Sequence, residues 1–298
     1  MILEAGDSTI DTAYFLWQIS DICQYECSYC TVKNDRNVNL RNKNLIELTL
    51  QRLKKYDGNF VVEMYGGEPT THPNLVYAVD TLNGMDHCIN IEILTNLRRN
   101  LNYFRKLEFD SDKITLTPSY HPEYHEGFIE KAVELNNYYK GTHFMVYVML
   151  SDKPEHWDNT EDLLQAFDLN NVKYSVHLLV STEKYKVFYT PEFFERFGRY
   201  IKDSGHGVKY ITTEGTTEHT ANDIIVNNLQ QFKGYHCRPL MHEIDINGNI
   251  YNACFKGQNL PLFFKKDSLM SYKVCPNNKC YCDIMFDYHK VIDEERIA

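Results

Sequence analysis

Short apolar runs recur along the first two thirds of the chain: "YFLWQIS" (14–20), "FVVEMY" (60–65), "INIEILT" (89–95), "KITLTP" (113–118), "HFMVYVML" (143–150) and "VKYSVHLLV" (172–180). Runs of this length, rich in β-branched and aromatic residues and bounded by turn formers, predict strands. Between them the apolar positions fall at helical spacing. "NLIELTLQRLKKY" opens with Asn44 as cap and Glu47 three residues on, a capping-box pattern. "TPEFFERFGRYIKDSG" has Thr190 as cap, Pro191 at the first helical position and Gly205 as a stop. Several strands are apolar on both faces, as expected where helices cover a parallel sheet. Six β/α units in succession predict an α/β fold, a partial (β/α)6 barrel of the TIM type. In such barrels the chemistry sits in the loops after the strands, so functional motifs should follow the strands.

The pattern changes after residue 205. "HEIDINGNIYNAC" reads as two short strands around Asn247-Gly248, a two-residue hairpin turn that sets Met241 roughly opposite Cys254. "VCPNNKCYCD" is rich in turn residues and cysteine. Residues 1–205 therefore read as the core domain and 206–298 as a small cysteine-rich appendage.

Composition narrows the classes of function. With 43% hydrophobic residues in 298, the chain can bury a large core. A net charge of −10 argues against a nucleic-acid partner, since such binding draws its affinity from Lys and Arg on phosphates. No run reaches the roughly 18–20 apolar residues of a membrane span, and "MILEAGDSTIDTAY" is no secretory signal. A cytoplasmic location is expected. Nine cysteines in a reducing compartment point away from disulfides. They cluster at 23, 27 and 30 and at 237, 254, 275, 280 and 282; Cys88, at a strand entrance, reads as a small buried hydrophobe.

The first cluster, "CQYECSYC", follows the first predicted strand. A closed zinc site takes four ligands. Three thiolates suit a 4Fe–4S cluster with one iron left open, although a zinc ion borrowing a distant fourth ligand would use the same residues. "YGGEPT" (65–70) follows the second strand, where glycines permit close backbone approach and a carboxylate suits a cation.

These two motifs, CxxxCxxC with Tyr29 before its last cysteine and GGE one β/α unit later, resemble those of the radical SAM superfamily. The resemblance implies that Cys23, Cys27 and Cys30 hold a catalytic 4Fe–4S cluster whose fourth iron is chelated by S-adenosylmethionine. It implies that Gly66, Gly67 and Glu68 receive the SAM ammonium group, and that Asn96 of the "TN" pair and Ser119 line the same site. Tyr120, His121, Tyr124 and His125, in "TPSYHPEYHE" at the mouth of the barrel, are candidates for binding substrate. The second cluster resembles the twitch and SPASM extensions of that superfamily: Cys237, Gly248 and Cys254, then Cys275, Cys280 and Cys282. Seven cysteines would serve two SPASM clusters; five fit one auxiliary 4Fe–4S cluster with at least one to spare, or a zinc site. "SDIC" departs from the Thr or Asn that often leads into the first cysteine of relatives.

The expected function is reductive cleavage of SAM to a 5′-deoxyadenosyl radical that abstracts hydrogen from substrate. A reductant such as flavodoxin or ferredoxin would supply the electron. With the first strand read near residue 14, no room is expected for an N-terminal leader-binding domain, which favours oxidation or rearrangement of a small polar metabolite or sugar. Modification of a ribosomal peptide by crosslink, thioether or epimerisation is the alternative. A non-catalytic iron–sulfur or zinc protein is the rival of a different class; it leaves GGEP unexplained.

Overall fold

All six expected strands form, side by side and parallel. The computed structural model describes residues 1–32, 43–107, 112–140, 143–181, 185–202, 207–252, 254, 260, 264–280 and 286–293. In chain order it begins with β1 (Ile2–Ala5), β2 (Ala13–Ser20), α1 (Lys43–Lys54), β3 (Phe60–Gly66), α2 (Leu75–Asn83) and β4 (Cys88–Thr95). There follow α3 (Leu101–Arg105), β5 (Ile114–Tyr120), α4 (Phe128–Tyr138), β6 (Val146–Leu150), α5 (Trp157–Leu169), β7 (Tyr174–Leu178) and α6 (Pro191–Lys202). The remainder is β8 (Val208–Thr212), β9 (Gly215–His219), α7 (Ala221–Val226), β10 (His236–Cys237), β11 (Met241–Ile244), β12 (Ile250–Asn252), α8 (Lys266–Leu269), β13 (Lys273–Val274) and β14 (Lys290–Val291).

The larger sheet has the order β12-β11-β2-β3-β4-β5-β6-β7, with every neighbour parallel except the β11–β12 hairpin. This is the mixed α/β arrangement expected of a partial TIM-type barrel. Alternate residues of the strands are buried on one face, as at Phe60, Val62 and Met64 of β3. The other face is half-buried instead of apolar throughout, because an open sheet leaves its inner side unfilled. One inner row places Glu243, Leu16, Glu63, Glu92 and Thr115 side by side in register.

The smaller sheet, β13-β10-β14-β1-β8-β9, was not legible as such in the sequence. The first strand is Ile2–Ala5, not the run near residue 14, and it lies between β14 and β8, antiparallel to both. Strands from both sides of residue 205 thus occur in each sheet. Tyr235 Oη donates to the Ile2 carbonyl at 2.7 Å, fixing the strand's start.

Three local expectations fare differently. Thr190 caps α6, its Oγ1 accepting from Phe193 N at 3.3 Å, with Pro191 first in the helix; Gly205 lies outside the described residues. Asn44 is not a cap: α1 already includes Lys43, which pairs with Glu47 one turn on. The turn at Asn247-Gly248 has three residues, not two. Asp245 N donates to the Asn249 carbonyl and Gly248 N to the Asp245 carbonyl. Gly248, at φ +76°, supplies the left-handed residue that a three-residue hairpin needs. Asp245 Oδ1 accepts from Asn247 N and Asn249 N, which favours this longer closure. Cys88 opens β4 fully buried.

Candidate functional site

The cysteine loop leaves the end of β2, and the chain's own backbone explains the two glycines beside it. Gly67 N donates to the Ser20 carbonyl and Glu68 N to the Ile22 carbonyl, both at 2.7 Å. A Cβ on Gly66 would lie 2.0 Å from the Ser20 oxygen, and one on Gly67 2.4 Å from that of Ile22. Gly66 also sits at φ +133°, which a side chain disfavours. The end of β3 therefore grips the entrance of the cysteine loop at Ser20 and Ile22, immediately before Cys23.

Glu68 completes that grip. Its carboxylate is buried, with Oε1 accepting from Thr70 N (3.0 Å), Thr70 Oγ1 (2.6 Å) and Thr95 Oγ1 (2.9 Å). Oε2 accepts from Asn96 N at 2.6 Å. Burial raises its pKa and these hydrogen bonds oppose the rise. Asn96 in turn donates through Nδ2 to Cys23 Sγ at 3.6 Å and to Gln24 Oε1 at 3.4 Å. The ends of β3 and β4 are thereby joined to the first cysteine through one carboxylate and one amide.

From the other side, the turn after β5 clasps the loop. Tyr25 stacks on Tyr124 at 4.1 Å between ring centroids, and Tyr124 Oη accepts from Glu26 N at 3.0 Å. Glu123 accepts from Ser28 N (2.8 Å) and Ser28 Oγ (2.5 Å), with Lys153 Nζ 3.5 Å away. Tyr29 Oη pairs with His121 Nδ1 at 2.8 Å. Burial pushes the Tyr29 hydroxyl up and holds His121 neutral, its pKa lowered to about 4.

The structure thus brings Cys23, Cys27, Cys30, Tyr29, Gly66, Gly67, Glu68, Asn96, His121 and Tyr124 to one end of the sheet, at the C-terminal edge of the strands. Ser119 lies near that edge on β5, buried. His125 Nδ1 pairs with the Pro122 carbonyl at 3.3 Å, just behind the clasp. Tyr120 is not with them: it is fully buried and packs edge-on against Phe128 of α4 at 5.4 Å. The clasp by Glu123, Ser28 and Lys153 was missed from sequence. Its signal was the Glu between the two flagged residues His121 and Tyr124.

The three thiols fit an iron–sulfur cluster in chemistry. Burial raises Cys23 and takes Cys27 to about 12, and negative charge on Cys30 adds to both. Thiolates so placed need a cationic core beside them. Among the described residues no three His, Cys, Asp or Glu side chains are gathered around a single ion position. A cubane cluster takes each thiolate on a different iron and so needs them further apart.

A second group of thiols draws on both sheets: Cys237 lies in β10 and Cys275 follows β13 of the smaller sheet, while Cys254 follows β12 of the larger. Cys237, Cys254, Cys275 and Cys280 are all buried and unoxidised. Cys275 follows β13, its N–H donating to the Tyr235 carbonyl at 2.7 Å and its carbonyl accepting from Gly234 N. Cys280 N donates to the Gln230 carbonyl, and Asn277 Nδ2 reaches the Cys254 carbonyl at 3.3 Å. Burial is the main cause of the raised pKa of Cys254, and Cys237, Cys280 and Cys275 each add to it, so the four share one neighbourhood. Cys282 lies outside the described residues.

No family model matches the sequence, and no curated protein matches it. Solved structures do. Streptococcus suis SuiB bound to S-adenosylmethionine aligns with a TM-score of 0.60 at 18% identity, over 84% of this chain and 62% of SuiB. SuiB bound to its precursor peptide SuiA gives 0.58 at 17%, over 87% and 65%. The chain therefore spans just under two thirds of SuiB's length. Native anSMEcpe with bound AdoMet and a Cp18Cys peptide gives 0.53 at 12%, over 83% and 75%. The fold of these structures is the fold of this chain. Among the described residues no helix is long and apolar enough to cross a membrane.

Proposed function

We propose, taking as premise that the chain is a radical SAM protein by fold and motif, that it is an enzyme that abstracts hydrogen from its substrate at the cysteine loop. Cys23, Cys27 and Cys30 would hold the catalytic 4Fe–4S cluster. When bound, cluster and SAM supply a one-electron cleavage to methionine and a 5′-deoxyadenosyl radical, the species that takes the hydrogen atom. The residues of the chain fix where this happens. Gly66 and Gly67 hold the loop entrance, Glu68 and Asn96 tie it to the next two strands, and Glu123 with Tyr124 clasps its outer side. Ser119 and His121 border the same edge and would meet SAM or substrate. The observation that carries the reading is the clamped CxxxCxxC loop at the C-terminal edge of the parallel sheet, where barrels of this type place their chemistry.

Four of Cys237, Cys254, Cys275, Cys280 and Cys282 would hold one auxiliary 4Fe–4S cluster. The shared burial and mutual charge effects of Cys237, Cys254, Cys275 and Cys280 support a common site for them. Residues 206–298, with β1, would then supply the auxiliary-cluster region, apart from β11 and β12, which extend the parallel sheet. A peptide substrate is the reading to which the peptide-bound neighbours point. The second reading, a small polar metabolite or sugar, is favoured by the inner row of Glu243, Glu63, Glu92 and Thr115, which suits hydroxyls and amines. Flavodoxin or ferredoxin would supply the electron.

Anaerobic reconstitution tests the core of the proposal. Reduced protein should form 5′-deoxyadenosine slowly from SAM, and Cys27→Ala should abolish it; SAM left intact by the wild-type protein sinks the reading. About eight irons per chain supports two clusters, whereas about four accompanied by zinc removes the auxiliary one. Deuterated peptides and sugars, followed for label in 5′-deoxyadenosine, separate the two substrate classes.

A further inference from the structure

Lys290 stands out among the buried groups that the proposed reaction does not use. It is fully buried at the start of β14, directly across the antiparallel ladder from Cys237, so the two side chains leave the same face of the sheet. Its Nζ donates to the Tyr288 carbonyl at 2.7 Å and the Phe286 carbonyl at 3.3 Å. It also lies 5.0 Å from the centre of the Phe232 ring and 5.4 Å from that of Tyr288. Carbonyls and ring faces hold the ammonium in place.

Cys237 has a second lysine across the ladder on its other side, Lys273 of β13, which is half-buried and open to water. Solvent screens that charge; it screens Lys290 far less. Burial pushes Cys237 up to about 12, and Lys290 is the strongest influence drawing it back down. Cys280 and Cys254 feel the same pull.

We propose that Lys290 is a positioning residue for the auxiliary cluster, a fixed buried cation that raises the cluster's reduction potential. The inference rests on the auxiliary-cluster reading above. Four thiolates around a cubane leave it net negative, and one-electron reduction makes it more so. A cation held at short range in a poorly solvated place stabilises the reduced form over the oxidised one.

The test uses the full chain carrying Cys23→Ala, Cys27→Ala and Cys30→Ala, so that only the auxiliary cluster remains to titrate. The expected iron content is about four per chain; a chain without iron overturns the auxiliary reading itself. With the cluster present, its potential is followed by electron paramagnetic resonance against redox mediators. Lys290→Met should lower the reduced-to-oxidised ratio at a fixed poise about tenfold, which is about 59 mV for a one-electron couple. Lys290→Arg, which keeps the charge, should titrate close to the parent, and Lys273→Met should move the potential little. A Lys290→Met cluster that titrates with the parent overturns the proposal. So does a Lys273→Met shift as large as that of Lys290→Met. Should Lys290→Met lose the cluster, Lys290→Arg decides alone: retention at the parental potential supports the fixed charge, and loss or displacement overturns it.

Discussion

At Gly67 a single added methyl group would press into the carbonyl of Ile22, and backbone cannot step aside as a side-chain tip can. Gly67→Ala should therefore destabilise the chain by about 2–4 kcal/mol in urea unfolding and lower iron uptake at the Cys23–Cys30 loop. Glu68→Gln keeps the shape but presents an amide N–H₂ where four donors now converge, costing about 1–3 kcal/mol by the same measurement. His121 gives a pH signature. Its pKa is depressed to about 4 by burial, below its ordinary value of 6.5, so the unfolded chain binds its proton first. Stability from this group is full above pH 6.5 and is lost as pH falls towards 4. In cluster-free protein, His121→Phe should flatten the slope of unfolding free energy against pH in that window. The sequence marked GGE as a candidate ligand-binding element; that its glycines make room for the loop's own backbone needed the fold.

The turn Pro122–Tyr124 and the cysteine loop act as a pair of elements, joined by one ring stack and a shared carboxylate. Glu123→Ala removes the acceptor of Ser28 and the partner of Lys153. The loss in global stability should be small, about 1 kcal/mol, because the contacts are near the surface. Cluster retention should suffer more, seen as faster bleaching of the iron–sulfur absorbance under a chelator. In the β11–β12 hairpin, Gly248→Ala would strain a residue at φ +76° and set its new Cβ 3.1 Å from Thr49 Oγ1 of α1. Elements with a strong internal rhythm were legible: β2 to β7 each showed as an apolar run, and Thr190-Pro191 marked the start of α6. Asn44 misled because a local capping pattern does not report how far the helix extends before it. The hairpin loop was misjudged by one residue because Asp245, outside the Asn-Gly pair, sets its closure.

For the whole molecule, the largest departure from the sequence reading is β1. Four residues of ordinary composition give no strand signal alone; they become a strand by pairing with β8 and β14. Removing residues 1–5 should leave the parallel sheet formed but open the smaller one, taking iron from about eight to about four per chain while 5′-deoxyadenosine formation persists. The division of the cysteines into two groups was visible from their distribution along the chain. Which cysteines stand together, and the lysine beneath them, depends on contacts between segments far apart and was not.

That central placement of β1 also sets an order of events during synthesis. Residues 2–5 emerge long before residues 290–291, with which they pair. At roughly 5–20 residues per second, the wait is about 15–60 seconds, while the parallel sheet between can already assemble. The smaller sheet is thus completed last, from segments far apart in the sequence. On the auxiliary-cluster proposal, metal loading at Cys237 and Cys275 would wait until the parallel sheet has taken shape.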